Sequence, residues 1–360
     1  MPESNVDKVA ELLERSGIDA DNIERVTRVN VWQGFIKNKD EEIETTDLTS
    51  VQFIPTRDTE HSFINQAAPT IIRPSKRLKP TRSDSVSVIL PDMQIGYRND
   101  EAFHDERCLT LGLAACRELK PDNIVLLGDN LDQPTQSRFD NQGKGWTDRI
   151  QPALDRLHSY LAQLRADNPD ANMVVHWGNH DIRLKKQIQK FNAELLGLRR
   201  ANAEEELGVL SLQYLLRTEE LGITSIDSYP RGVYWLEDNL LTTHGHVVRS
   251  SGNSAQAVLT NAEASVIFGH VHRIEVATKT VALRGIARTI QAVTPGTFAR
   301  IDGSVPSNNY TTNDRDETVK GYDNWQNGLA VVFHNERNHQ INPILIEEGR
   351  MNMFGKTYEA

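Results

Sequence analysis

The fold can be predicted from one segment, Ile124-Val125-Leu126-Leu127-Gly128-Asp129-Asn130-Leu131-Asp132, which joins an apolar run to a polar loop. The apolar run follows Pro121-Asp122-Asn123 and predicts a short buried strand in a parallel or mixed sheet. Gly128-Asp129 ends the run, so the Asp129 carboxylate is expected at the carboxyl end of the strand, where open α/β sheets bind ligands. Gly-Asp after a strand is more often an ordinary turn, so the prediction needs support elsewhere in the chain.

Other apolar runs also end in clusters of Asp, Asn, Gln or His. The runs are Val86–Leu90 before Asp92 and Gln94, Met173–Val175 before Asn179 and His180, Leu240–Thr243 before His244 and His246, and Val266–Phe268 before His270 and His272. Successive strands therefore deliver polar side chains to one edge of the predicted sheets. Packing alone gives no reason for this repetition.

The composition is that of a globular protein without a membrane span. The 360 residues are 38% hydrophobic and 25% charged, and no run approaches the roughly 18 apolar residues that a span needs. The amino terminus lacks the features of a secretory signal. Cys108 and Cys116 lie too far apart along one predicted helix to form a disulfide, so we expect reduced, partly buried thiols and a cytoplasmic protein. The net charge of −10 argues against a surface that binds nucleic acid everywhere, but not against a local basic groove.

Four segments are predicted along the chain. They are a small α+β accessory module over residues 1–70, a basic, proline-containing linker over 71–83, the main α/β domain over 84–350 and a carboxyl-terminal tail over 351–360. The linker contains Arg73, Lys76, Arg77, Lys79 and Arg82. It is either an extended solvated segment or a strip that contacts phosphates beside the site. Hairpins after residue 273 are expected to complete a second sheet packed on the first.

The polar residues at the strand ends suit divalent metal ions. They are Asp92, Gln94, Asp129, Asp132, Asn179, His180, His244, His246, His270 and His272. Carboxylate, amide and imidazole ligands favour Mn²⁺, Mg²⁺, Fe²⁺ or Zn²⁺, and the absence of cysteine argues against a structural zinc cage. Two metals about 3.5–4 Å apart would stabilise a phosphoryl displacement, and a water between them would become a hydroxide nucleophile near neutral pH.

Five short motifs carry a resemblance to a known family. In chain order they are Asp-x-Gln, Gly-Asp-x-x-Asp, Gly-Asn-His-Asp, His-Gly-His and Gly-His-x-His, spanning Asp92 to His272. Each motif is common by chance, but the series resembles that of the calcineurin-like metallophosphoesterases. The resemblance is to the branch that includes repair nucleases, cyclic-nucleotide phosphodiesterases and phage-encoded phosphoesterases. Gln133-Pro134 stands where the protein phosphatases of the family have Arg-Gly, which makes a phosphoprotein phosphatase a weaker alternative.

The resemblance implies a four-layer α/β-β-α sandwich over roughly residues 84–346 and a role for each motif residue. It implies that Asp129 bridges two metals, that Asp92 and His272 hold the first with Gln94, and that Asn179, His244 and His270 hold the second. His180 would contact the phosphate and protonate the leaving oxygen, with Asp132 orienting its ring. Manganese is the first choice of metal, and magnesium, iron and zinc remain open.

Gln94 departs from the family pattern, which usually has histidine at this position. An amide oxygen is a weaker ligand than imidazole for zinc or iron, although acceptable to Mn²⁺ or Mg²⁺. Three alternatives remain open: Gln94 binds the first metal directly, binds it through water, or only caps the loop.

Three further residues are candidates for substrate contact. His246 follows His244 by two positions, and Arg138 and Arg183 flank motif loops. Each has the alternative of being an ordinary surface residue.

The resemblance does not fix the substrate, because function depends on the site rather than on the fold. A two-metal phosphodiesterase acting on single- or double-stranded nucleic acid is our first hypothesis. A phosphodiesterase or phosphomonoesterase for small nucleotides is the second. A metal-depleted protein-binding scaffold is the alternative of another class, although such a scaffold would have no need of His180.

Overall fold

The structure is a computed structural model. It describes residues 13, 23–37, 43–55, 71–72, 84–98, 101–133, 150–202, 207–249, 252–283, 286–302, 311–312, 318–319 and 323–360. The chain divides into two compact units, Met1–Ala68 and Pro69–Ala360.

The first unit contains an antiparallel hairpin. Its strands, Ile23–Lys37 and Ile43–Pro55, place Val31 opposite Thr49.

The second unit contains an eight-stranded sheet. In spatial order its strands are Lys356–Glu359, Arg350–Met353, His339–Glu347, Asn327–His334, Ser85–Leu90, Asn123–Leu126, Asn172–His176 and Ile223–Ile226. The last four strands are parallel to one another, and each of the other pairings is antiparallel. The predicted strand before Asp129 therefore lies inside the parallel part of a mixed sheet.

A second, six-stranded sheet belongs to the same unit. Its strands in spatial order are Ile274–Leu283, Ile286–Pro295, Ser265–Phe268, Leu240–Thr243, Val233–Glu237 and Ile71–Ile72. Two short antiparallel pairs lie outside both sheets. Tyr97–Arg98 pairs with Glu101–Ala102, and Thr311–Thr312 pairs with Thr318–Val319.

Alternating side chains of the central strand divide the core into two parts. Ile124 and Leu126 pack with the helices Glu106–Leu119 and Ile150–Asp167, whereas Val125 and Leu127 face the second sheet. This follows from the two-residue period of a strand, and it explains why the run is apolar at every position.

The outer face of the second sheet is covered by another helix. Leu259 of the helix Ser254–Thr260 packs against Val266 and Phe268. The order of layers is therefore helices, sheet, sheet and helix, which confirms the predicted four-layer α/β-β-α sandwich.

The carboxyl-terminal part of the chain differs from the prediction. Residues 350–360, predicted largely as a tail, add two strands to the first sheet because Met351 and Met353 are buried in its core. The hairpin Asn327–His334 with His339–Glu347 was predicted in the second sheet. It joins the first sheet instead, with Val331 opposite Val88, since residues on both faces of its first strand are buried.

The predicted linker begins inside a sheet, because Ile71 pairs with Val233 and Ile72 with Tyr234. Its five basic residues, Arg73, Lys76, Arg77, Lys79 and Arg82, lie outside the described residues. The charged region over 182–216 is described except for residues 203–206. It contains the helices Arg183–Phe191 and Leu212–Leu215 and a short 3₁₀ turn, Ala193–Leu195.

Both cysteines are unpaired and buried in the helix Glu106–Leu119. Burial raises the pKa of both thiols well above the ordinary value, so neither is a reactive thiolate. Among the described residues, no helix has the length and apolar character needed to cross a membrane.

His176 connects the two sheets through a buried hydrogen bond between its Nε2 and Thr242 Oγ1, 2.8 Å apart. Burial and the neighbouring His244 lower the pKa of His176 to about 3. The folded protein therefore keeps this ring neutral, whereas the unfolded chain binds a proton near pH 6.5. The contribution to stability is complete above about pH 6.5 and is lost as the pH falls towards 3.

We expect His176→Gln to reduce the acid sensitivity of the fold. Between pH 7 and pH 5 the free energy of unfolding should fall by about 2 kcal/mol less in the variant than in the wild type, since each pH unit corresponds to about 1.4 kcal/mol. Urea denaturation at the two pH values measures this difference. Equal losses in the two proteins would contradict the assignment of a neutral buried ring.

Candidate metal centre

The predicted ligands meet at one edge of the sandwich. Asp92, Asp129 and Asn179 follow three parallel strands of the first sheet, and His244 and His270 follow two parallel strands of the second. The centre is therefore assembled from the carboxyl ends of strands in both sheets.

Backbone hydrogen bonds hold two of these loops together beyond the strands. The Gln94 amide donates to the Asp129 carbonyl, and the Ile95 amide donates to the Asn130 carbonyl, each at 2.9 Å. These bonds fix the separation of the Asp92 and Asp129 loops without using their side chains.

Two groups of candidate ligands share Asp129. One contains Asp129, His244 and His270, and the other contains Asp92, Asp129 and His272. Within each group the ligand atoms all lie within 4.8 Å of one another. Asp129 is thus the carboxylate that both groups have in common.

Backbone amides orient both carboxylates. The His180 amide donates to Asp129 Oδ1, and the His270 amide donates to Asp92 Oδ1, each at 2.8 Å. Asp129 Oδ2 then faces His244 Nε2 at 3.4 Å. Asp92 Oδ2 is buried and has no hydrogen-bond partner among the described residues. An unpaired buried carboxylate oxygen is costly, and a metal ion would satisfy it.

The tautomer of His244 is set by its second ring nitrogen. Its Nδ1–H donates to the Leu127 carbonyl at 2.9 Å. This leaves Nε2 towards the centre, 3.3 Å from Asn179 Oδ1. Such an outer hydrogen bond is usual for a metal-binding histidine.

The electrostatics of the centre favour positive charge beside Asp129. Burial alone would lower the pKa of His244, but the Asp129 carboxylate outweighs it and raises the pKa to about 9. Burial opposes ionisation of Asp129, yet His244 and His180 hold its pKa well below the usual range. Burial and His244 lower the pKa of His270 to about 4, so its ring is neutral and suited to bind a metal.

Gln94 is fully buried beside the group of Asp92, Asp129 and His272. Its Nε2 lies 3.4 Å from His272 Nε2, and its Oε1 has no hydrogen-bond partner in the described part of the chain. The ring of Trp325 packs edge-on against His272, with the centroids 4.2 Å apart. A buried amide oxygen without a partner fits a metal ligand, bound directly or through water, better than a simple loop cap.

Four candidate ligands have a left-handed backbone that L-residues seldom adopt. The φ angles are 50° at Gln94, 49° at Asp129, 73° at His270 and 56° at His272, among nine such non-glycine residues in the described part of the chain. This conformation costs free energy and is found preferentially at functional sites. Its concentration here supports the assignment of a site.

Two glycines allow the loops to approach the carboxylates. A Cβ atom at Gly178 would lie 2.0 Å from Asp129 Oδ1, and one at Gly269 would lie 2.4 Å from Asp92 Oδ2. No side chain fits at either position, which accounts for a glycine in each motif.

His180, Asp132 and Arg183 form a hydrogen-bonded cluster next to Asp129. His180 Nδ1 donates to Asp132 Oδ1 at 2.8 Å, and Arg183 Nη1 donates to the same oxygen at 2.9 Å. Arg183 Nη2 lies 3.0 Å from His180 Nε2, and that nitrogen is 3.9 Å from Asp129 Oδ2. The predicted His180–Asp132 pair is therefore in contact and faces the candidate ligands.

The two other predicted substrate contacts are His246 and Arg138. His246 is exposed to solvent two residues beyond His244. Arg138 lies outside the described residues.

Asp181 is the important residue that the sequence analysis did not assign. Its carboxylate accepts hydrogen bonds from the backbone amides of Gly178, Leu131 and Asn130 at 2.8, 2.9 and 3.2 Å. It thereby joins the Asp129 loop to the Asn179 loop. Burial and the neighbouring Asp129 raise its pKa to about 7, and the amide donors oppose that shift. Its place as the last residue of Gly-Asn-His-Asp was the available signal.

Gln133 makes a second connection between the same loops. Its amide nitrogen donates to the Asp181 carbonyl at 3.1 Å, and its amide oxygen accepts from the Leu184 amide at 3.0 Å. The residue at the position of the phosphatase Arg-Gly therefore supports the loops and the start of the helix Arg183–Phe191.

Comparison with known proteins identifies two phage relatives of unstated function. The chain is 24% identical over 280 residues to the Gene 54 protein of Mycobacterium phage L5 and 25% identical over 281 residues to the Gene 54 protein of Mycobacterium phage D29. Each alignment covers 76% of this chain and 98% of the relative. No model of a known protein family matches the sequence. Among solved structures, Vacuolar Protein Sorting 29 from Cryptosporidium parvum aligns with 77% of this chain and 99% of its own, at 10% identity and a TM-score of 0.34.

Proposed function

We propose that this protein is a calcineurin-like metallophosphoesterase that hydrolyses phosphodiester bonds, with nucleic acid as the favoured substrate. The observation that carries the proposal is that two groups of candidate metal ligands share Asp129 and lie next to the hydrogen-bonded residues His180 and Asp132. A protein that binds metal only for stability has no need of the contact between His180 and Asp132.

The residues of the centre fit two divalent ions. Asp92, Gln94, Asp129 and His272 would hold the first ion, and Asp129, Asn179, His244 and His270 would hold the second. When bound, the ions supply Lewis-acid charge for the phosphate and lower the pKa of a nucleophilic water. The oxygen-rich set with one amide at each ion favours Mn²⁺.

His180 is the proposed general acid. Its hydrogen bond to Asp132 keeps a proton on Nδ1 and directs Nε2 towards the candidate ligands. A second proton carried on Nε2 would pass to the leaving oxygen, and the Asp132 carboxylate would stabilise the doubly protonated ring before that transfer.

Arg183 is the proposed phosphate contact. Its guanidinium already reaches His180 Nε2, and a non-bridging phosphate oxygen bound there would replace that nitrogen as the acceptor. Asp132 holds the other side of the guanidinium in place.

The first prediction of this function concerns metal-dependent hydrolysis. Metal-stripped protein supplied with Mn²⁺ should hydrolyse an aryl phosphodiester and a labelled single-stranded oligonucleotide. His180→Ala should lower kcat about 10²- to 10⁴-fold, the usual contribution of general acid–base catalysis, while the metal content stays the same. Asp129→Asn should lose both ions and activity. Turnover is measured alongside elemental analysis of each variant.

Parallel reactions with Mg²⁺ and Zn²⁺ and an aryl phosphomonoester separate the alternatives. Preference for the monoester would favour a phosphomonoesterase. Wild-type protein that binds no metal and turns over none of the substrates would favour a protein-binding scaffold and refute the proposal.

Asp181→Asn tests whether Asp181, which is not a proposed metal ligand, supports the metal centre by holding its two loops together. An asparagine has one acceptor oxygen, so its NH₂ group would face a backbone N–H of one of the two loops. We expect Mn²⁺ affinity to fall about 10- to 100-fold, as for other residues that orient metal ligands. Titration calorimetry measures the change, and Asp170→Asn, the same substitution at an exposed position, is the matched control. Equal affinities in all three proteins would argue against this role.

Gln94→His tests the departure from the family pattern. Imidazole is the stronger ligand for zinc and iron, so the variant should bind one ion of Zn²⁺ about tenfold more tightly than the wild type. Zn²⁺ titration and stoichiometry by elemental analysis report the change. Unaltered affinity with an intact fold would place residue 94 outside the coordination of the first ion.

A further inference from the structure

The helix Arg183–Phe191 leaves the metal centre and runs along the surface. Its first residue, Arg183, contacts His180 and Asp132, whereas none of its nine residues is buried. The helix is therefore continuous with the reaction site and open to a ligand along its length.

The helix is strongly basic in an acidic protein. It contains four cations, Arg183, Lys185, Lys186 and Lys190, and no acidic residue, although the chain has a net charge of −10. The three lysines are exposed, and within the described ranges no carboxylate forms an ion pair with them. Their charge is thus available to an anionic partner.

Three of the cations lie on one side of the helix. At about 100° per residue, Arg183, Lys186 and Lys190 fall within about 60° of arc, and Lys185 points to the opposite side. At about 1.5 Å per residue, the row extends about 10 Å from the centre, close to the axial rise of three stacked nucleotides. A single small nucleotide would not use the far end of this row.

An exposed aromatic ring stands at that far end. Phe191 is 64% exposed, and Lys190 Nζ lies 4.7 Å from the centroid of its ring. A solvent-exposed ring beside cations is the combination on which unpaired bases stack in proteins that bind single strands.

We propose that this row binds the backbone phosphates of single-stranded nucleic acid next to the scissile phosphate, and that Phe191 stacks on a base of the same strand. The inference rests on the proposed function, because it assumes that the reacting phosphate lies beside Arg183. It deepens that function by naming single-stranded nucleic acid as the substrate and the helix surface that binds it.

Binding of a labelled 12-nucleotide single strand tests the inference. Fluorescence anisotropy is measured with Mn²⁺ in the His180→Ala background, which slows hydrolysis, at several salt concentrations. Lys186→Ala and Lys190→Ala should each weaken binding about fivefold to tenfold and reduce the slope of log K against log salt by about 0.7. Phe191→Ala should weaken binding by at least about fivefold without changing the slope.

Lys185→Ala is the matched control, since it removes the same charge from the same helix on the opposite side. It should leave affinity and salt slope unchanged. All four substitutions, made in the otherwise wild-type protein, should leave aryl phosphodiester turnover unchanged, which also shows that the fold is intact.

Equal effects of Lys185→Ala and Lys186→Ala would overturn the proposed row, as would unchanged affinity in Lys186→Ala and Lys190→Ala. Binding of the helix to anionic lipid vesicles in place of the oligonucleotide would overturn the choice of partner. A wild-type protein that binds the strand through this row but hydrolyses no diester would refute the proposed function alone.

Discussion

A buried carboxylate needs positive charge close to it, and this requirement explains the arrangement of the residues around Asp129. The side chain is 2% exposed and ionised, its Oδ1 accepts a hydrogen bond from the His180 amide, and the backbone of the residue is left-handed. The ring of His244 supplies a proton to balance it, and Gly178 leaves the space that it occupies. Burying such a charge would be very costly if its partners were not already positioned by the two sheets.

The supporting residues form a framework around this carboxylate. Asp181 and Gln133 connect the loops after two neighbouring strands, and the Leu127 carbonyl orients His244 from beneath. These contacts place the ligand atoms before any ion binds. A centre of this kind loses little conformational freedom on binding a metal, which favours affinity and fixes the coordination geometry.

Much of this architecture was predictable because the sequence repeats one local pattern. The run Ile124–Leu127 is apolar on both faces, which required a layer on each side, and the polar residues after successive strands required a common edge. The structure confirms the sandwich. It also brings the candidate ligands together, as the order of the motifs led us to expect.

Other features depend on long-range contacts that no local pattern reveals. The apolar run Leu329–Phe333 predicts a strand but cannot specify its neighbour. Its pairing with Ser85–Leu90 follows from the burial of both of its faces. The segment with Met351 and Met353 was predicted as a tail because a four-residue strand is too short to show a clear periodicity. The role of Asp181 depends on the approach of two loops that are about 50 residues apart in sequence.

The assembly of the centre from both sheets has a mechanical consequence. Asp92 and His270 are 178 positions apart and belong to different layers, yet the amide of one contacts the carboxylate of the other. An ion held between such residues would cross-link the two sheets. Shearing one sheet over the other would then require the coordination to break first, so the metals would resist mechanical separation of the layers as well as serve the reaction.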